Sequence, residues 1–189
     1  MDDDQRKWDE KYGGEGYLLG TEPSSFLRGN IGLLKRLCPG LRALDIACGE
    51  GRNSIFLARQ GFDVTAVDIS GKGMAKGRKR CEEEGLTVDF RLADLERYRF
   101  SESYDLIINF NFLLRDLVPQ LVAVLNPGGV LMFDTMLDSP LLPGEHNKLY
   151  LLQPGELRAL FQTRSGKIIY YEERPCDATP TAKLIFQKK

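Results

Sequence analysis

The sequence predicts an α/β protein built on a doubly wound, mostly parallel sheet with helices on both faces. Three observations carry this expectation. An apolar run, Ala43, Leu44 and Ile46, ends in small residues at 47, 49 and 51; a helical segment over 53–60 follows, closed by Gly61; a second apolar run over 64–67 ends in Asp68. Continuous apolar runs recur at 104–109 and 130–134, as in strands buried on both faces. Between them Leu114, Leu117, Val118, Leu121, Val122 and Leu125 repeat at helical spacing, with Pro119 tolerable only in a first turn.

Residues 42–70 read as strand, tight turn, helix, strand, acid, the nucleotide-binding half of such a sheet. Ala47, Gly49 and Gly51 lack bulk, so a ligand can lie against bare main chain, and glycine supplies the unusual dihedrals of the turn. The helix starting near Asn53 points unpaired N–H groups and a positive dipole end at the same place. Asp68, at the tip of the next strand, has the acceptors for two ribose hydroxyls. It stands 17 positions past Gly51, slightly short of the roughly 20 usual in dinucleotide sites. A dinucleotide site also wants a third glycine where this chain has Ser54, so a nicotinamide-dependent oxidoreductase is the weaker reading.

The remaining elements follow in order. Residues 1–22 are polar and glycine-bearing with three aromatics, Trp8, Tyr12 and Tyr17. These either fasten a mobile N-terminal arm to the domain or close it over the ligand. A helix starts after Pro23-Ser24-Ser25, with Leu27, Ile31, Leu34 and Cys38 on one face, and ends at Pro39-Gly40. A basic helix over 70–84, carrying Lys72, Lys76, Arg78, Lys79 and Arg80, reads more simply as a solvated face than as a nucleic-acid surface. Val88, Phe90 and Leu92 alternate as in a strand near the sheet edge, which leads into Ala93-Asp94-Leu95. Asn126-Pro127-Gly128-Gly129 is a turn before the fifth strand. Residues 135–153 lack a period and hold Pro140, Pro143, Gly144 and His146; a loop this long is often functional, and 136–153 is a candidate substrate lid. His146 reads either as a base or, more often for a loop histidine, as solvated. A short helix opens at Pro154-Gly155-Glu156-Leu157, and two strands over 167–173 and 182–187 finish the chain.

The 189 residues suit one domain spanning 1–189. A net charge of −1 gives no general attraction to nucleic acid or to an anionic membrane. The N-terminus is acidic where a signal peptide is basic, and no apolar run approaches membrane-spanning length. Four cysteines without CxxC spacing and a single histidine argue against zinc or disulfides, and a cytoplasmic location is expected.

Read as acid, small, x, Gly, x, Gly with Asp45 leading, the turn resembles the first motif of the Rossmann-like (class I) S-adenosylmethionine-dependent methyltransferases. A glycine usually stands there at the position of Ala47. Trp8-Asp9-Glu10-Lys11-Tyr12 and Gly20-Thr21-Glu22-Pro23-Ser24-Ser25-Phe26-Leu27 resemble the lead-in of the small tellurite-resistance-type members, where it covers the cofactor; Trp8 and Tyr12 are the implied contacts. The resemblance implies a seven-stranded sheet with an antiparallel C-terminal strand and S-adenosyl-L-methionine as cofactor. It places Ala47, Cys48, Gly49, Gly51 and Asn53 at the loop, Asp68 and Ile69 at the ribose, and Ala93, Asp94 and Leu95 at adenine. Asp45 positions the loop or reaches the amino group of the methionine moiety. Asn109 and Phe110 lie near the methyl group, although Phe110 and Asn111 replace the two prolines of the amino-directed motif. The expected reaction is methyl transfer to a small molecule; a cofactor-binding protein without turnover is the further alternative. No metal ligand or catalytic residue is implied.

Overall fold

The computed structural model describes every residue except Met1, Pro143 and Glu145, so the expected turn residue Pro143 lies outside the described residues. In chain order the elements are α1 (Asp2–Tyr12), α2 (Ser25–Leu37), β1 (Arg42–Ile46), α3 (Arg52–Arg59), β2 (Asp63–Asp68), α4 (Gly71–Glu84), β3 (Asp89–Leu92), β4 (Tyr104–Phe110), α5 (Val118–Val124), β5 (Leu125–Met136), α6 (Glu156–Gln162), β6 (Gly166–Arg174) and β7 (Thr181–Lys188). The strands form one seven-stranded sheet in the order β3-β2-β1-β4-β5-β7-β6. β1 pairs in parallel with both β2 and β4, so the winding reverses between β1 and β4, where ligands of doubly wound sheets collect. β7 alone runs against its neighbours β5 and β6. The expected fold class stands.

Local chemistry sets the helix boundaries. The Ser24 side chain accepts from Phe26 N to start α2, and the Ser70 side chain accepts from Gly73 N to start α4. Gly85, in the left-handed region, stops α4, and Pro119 lies in the first turn of α5. Strand alternation then divides the core. Leu44, Ile46, Ile107 and Phe133 pack with α5 and α6 on one face; Ala43, Leu106, Ile108 and Met132 pack with Leu27 and Leu34 of α2 on the other.

Three expectations need correction. The N-terminal arm begins as a helix, α1, docked where Asp9 accepts from Ser70 Oγ (2.6 Å) and Lys72 N (3.1 Å) at the start of α4. The basic face of α4 is not simply solvated: Arg80 is buried, Arg78 donates to Phe90 O, and Lys76 turns inward onto the N-terminal segment. The Pro127-Gly128-Gly129 turn lies inside β5, which pairs Leu125 with Tyr104, slips, and resumes with Val130 opposite Leu106. Among the described residues no helix is long and apolar enough to cross a membrane.

Candidate functional site

A cavity of about 690 Å³ opens at the carboxyl ends of β1 to β4. Its floor is the loop after β1. Ala47, Gly49 and Gly51 all have positive φ, at 53°, 56° and 75°. For Ala47 this left-handed conformation costs about 1–2 kcal/mol, and alanine is tolerated there only because the surrounding contacts hold it. Gly49 needs its missing side chain, since a Cβ there would lie 2.6 Å from Tyr12 Oη. Gly51 is below the loop: a Cβ would lie 2.9 Å from Cζ of Phe90, and one on Gly77 of α4 would lie 2.7 Å from the same atom.

Two buried carboxylates hold this loop. Asp68 accepts from Gly49 N (2.7 Å) through Oδ2 and from Ser70 N (2.8 Å) through Oδ1. Burial raises its pKa, against the opposing pull of those backbone donors. Asp45 accepts from Ser54 Oγ at 2.6 Å, and burial pushes its carboxyl up to about 7. Ser54, the residue that spoils a dinucleotide motif, is thus the partner of the first acid. Burial likewise pushes the Cys48 thiol well above its usual range. Asn53 Oδ1 accepts from Ser24 N at 2.9 Å and so joins α3 to the start of α2.

The cavity brings together Trp8, Tyr12, Asp45, Ala47, Cys48, Gly49, Asn53, Asp68, Ile69, Ala93, Asp94, Leu95 and Phe110, all expected at the site. Gly51 and Asn109 are not in its wall. Asn109 faces the α5 side of the sheet, where its amide donates to Phe112 O at 2.7 Å, so strand alternation aims it away from the cavity that Phe110 lines. Asp94 Oδ1 accepts from Glu96 N at 3.0 Å, capping the turn after β3. Ala93 N donates to Asp68 O at 2.9 Å, linking the two strand tips.

Above the floor, Trp8 and Tyr12 stack with ring centroids 5.7 Å apart, and Lys11 Nζ lies 4.5 Å from the Trp8 ring centre. Beyond β4 the wall continues through Asn111, Phe112, Met136, His146, Asn147 and Tyr150. Asn111 is the second non-glycine residue with positive φ, at 55°. Residues 146–151 close that end, on a segment tied at its base by a bridge between Leu137 and Leu152. Arg115 holds their far part, donating to Leu149 O (2.6 Å) and Leu151 O (2.8 Å). Sequence reasoning missed Arg52, Leu18 and Leu19 in the lining. For the leucines a signal existed: an apolar pair between Gly16 and Gly20 in an otherwise polar stretch.

The methyltransferase domain model matches residues 43–129, the span from β1 into β5 that carries the floor of this cavity. A probable S-adenosyl-L-methionine-dependent methyltransferase, TehB of Haemophilus influenzae, is 30% identical over 111 residues, covering 57% of this chain and 39% of the relative. Over this span the chain is similar to S-adenosylmethionine-dependent methyltransferases. The crystal structure of Haemophilus influenzae TehB superposes with a TM-score of 0.74 at 20% identity, over 98% of this chain and 67% of that one. A magnesium protoporphyrin IX methyltransferase from Synechocystis PCC 6803 with bound SAH gives 0.68 at 18% identity, over 97% and 93%. These structures share the methyltransferase fold, whereas the chain spans about two fifths of the length of the curated TehB relative.

Proposed function

We propose that the cavity binds S-adenosylmethionine and that its methyl group passes to a small-molecule acceptor by in-line displacement. One observation carries this reading: a single cavity joins the bare loop, the strand-tip acids Asp68 and Asp94, and the residues just after β4. The residues fit the cofactor. Asp68 commits two of a carboxylate's roughly four lone-pair sites to main-chain donors, Gly49 N of the loop and Ser70 N at the start of α4, which leaves acceptors for ribose hydroxyls. Leu95 offers an apolar surface to adenine and Asp94 an acceptor for its amine. Asp45 and the main chain of 47–49 suit the methionine end.

When bound, S-adenosylmethionine supplies a methyl group already activated on a sulfonium, whose sulfur departs with the bonding pair as a neutral thioether. The protein's work is then orientation and exclusion of water. Trp8, Tyr12, Leu18 and Leu19 roof the cofactor end, while Phe110, Phe112, Met136 and Tyr150 form apolar walls at the acceptor end. Asn111, His146 and Asn147 add polar groups there to orient the acceptor. An acceptor enclosed between the roof and residues 146–151 is a small molecule, and the porphyrin methyltransferase sharing the fold is named for one.

Calorimetry against S-adenosylhomocysteine and NADH tests the cofactor, with binding expected for the first only. Turnover of methyl-labelled S-adenosylmethionine with thiols, amines, phenols and metalloid anions tests the reaction. Binding of NADH in place of S-adenosylhomocysteine would overturn the proposal. Binding without turnover on any acceptor would favour a non-catalytic cofactor-binding protein.

A further inference from the structure

The roof over the cofactor end continues from Trp8 and Tyr12 of α1 into residues 13–24, which join α1 to α2 without regular secondary structure. Hydrogen bonds within it are local, Gly20 N donating to Tyr17 O. The bonds that cross to the body of the domain are made by side chains. Glu50 Oε2 accepts from Leu18 N at 2.8 Å, and Lys76 Nζ donates to Gly14 O (3.0 Å) and Gly16 O (2.6 Å). Arg52 reaches Leu19 O at 3.1 Å, and Arg80 reaches Thr21 O at 3.4 Å. Lys76 also donates to Glu50 Oε1 at 2.9 Å, so its three ammonium hydrogens serve two roof carbonyls and one carboxylate. The Tyr17 ring lies 5.7 Å from Lys76 Nζ and 5.4 Å from the Arg80 guanidinium.

Glu50 is the centre of this arrangement. It stands between Gly49 and Gly51 in the loop that lines the cavity, and only 6% of it is exposed. A carboxylate this buried requires its partners, and a roof that swings away takes Leu18 N with it and leaves Lys76 with one of its three acceptors. We infer that Glu50 and Lys76 form a latch between the cofactor loop and the 13–24 roof, and that opening this latch limits the release of the cofactor product. The inference rests on the cofactor lying in the cavity as proposed. Glu50 and Lys76 act here as positioning residues: they hold the roof, and chemistry at the methyl group does not pass through them.

The test is the dissociation rate of labelled S-adenosylhomocysteine after dilution, measured beside its association rate. Glu50→Gln keeps the side-chain shape, and Lys76→Met keeps most of its length. Each is expected to speed dissociation on the order of 10-fold, with association little changed. The double variant is expected to fall short of the product of the two single effects, because both break one latch. Lys76→Arg restores slow release. Cleavage by a glutamyl endopeptidase at Glu15 and Glu22 supplies a second readout: S-adenosylhomocysteine protects both sites in the wild type and not in Lys76→Met. Thermal melts establish that the variants fold; should Glu50→Gln fail to fold, the partly exposed Lys76 carries the test alone. Wild-type release rates in folded Lys76→Met, or losses confined to the association rate, would overturn the latch and leave the cofactor reading intact. A wild type that does not bind S-adenosylhomocysteine would overturn both.

Discussion

Replacing Asp68 by alanine separates the two jobs that its position combines. In the folded protein its carboxylate accepts from Gly49 N at 2.7 Å and from Ser70 N at 2.8 Å. Alanine leaves two buried donors without partners, each worth about 1–3 kcal/mol, while relieving the cost of a buried charge. A net loss of about 1–3 kcal/mol in urea unfolding of the ligand-free protein is expected. On the proposed cofactor reading, loss of the ribose acceptors is expected to weaken S-adenosylhomocysteine binding by a further 1–3 kcal/mol or so, roughly 5- to 150-fold, read by calorimetry below the melting transition. Asp68→Asn retains one acceptor and falls between wild type and alanine in both measurements. A folded Asp68→Ala protein that binds S-adenosylhomocysteine as tightly as wild type would refute the site, and unchanged unfolding would refute the role of Asp68 in holding the loop.

Three further outcomes follow from the geometry. Gly49→Ala adds a Cβ 2.6 Å from Tyr12 Oη at a φ of 56°, so it forces α1 outward; a loss of roughly 2 kcal/mol in stability and a shift in Trp8 emission are expected. Asp134 is a half-buried acid whose Oδ1 is sealed from solvent and unpartnered, and burial raises its pKa from 3.8 to about 6. The folded state therefore holds the proton more tightly, and stability present below pH 4 is lost as the pH rises through 6, by about 3 kcal/mol at most. Asp134→Asn is expected to stabilise the protein at pH 8 and to change little at pH 4 in chemical denaturation; equal effects at both pH values would refute this. Arg115→Met frees Leu149 O and Leu151 O, so residues 148–151 gain mobility: faster tryptic cleavage at Lys148 and unchanged S-adenosylhomocysteine affinity are expected.

The β1–α3–β2 unit was legible because every level of its sequence agrees: apolar runs, small turn residues and an acid at the strand tip all demand one geometry. α1 was not, since its apolar signal is two rings, Trp8 and Tyr12, four residues apart on an otherwise charged helix. What docks it is a polar contact from Asp9 to Ser70, 61 positions away. The same blindness hid Lys76 and Arg80. A charge that turns inward to main-chain carbonyls leaves no periodic trace, because its partner has no side-chain identity. Asn109 failed for a different reason: a motif match placed it at the methyl group, whereas the two-residue period of β4 gives that face to Phe110. The acceptor end depends on residues 146–151, which are held by Arg115 and by pairing of Leu137 with Leu152, not by any local pattern.

The ring of Phe90, wedged against Gly51 and Gly77, ties three distant positions into one inheritance. Any side chain gained at 51 or 77 collides with an aromatic edge that cannot retreat into the sheet, so neither glycine drifts while the phenylalanine remains. A smaller residue at 90 would lift that veto and let α4 settle closer to the loop. Among homologues, bulk at 77 is therefore expected only in company with a trimmed residue at 90, and a chain combining bulk at both would have to reshape the edge of its nucleotide site.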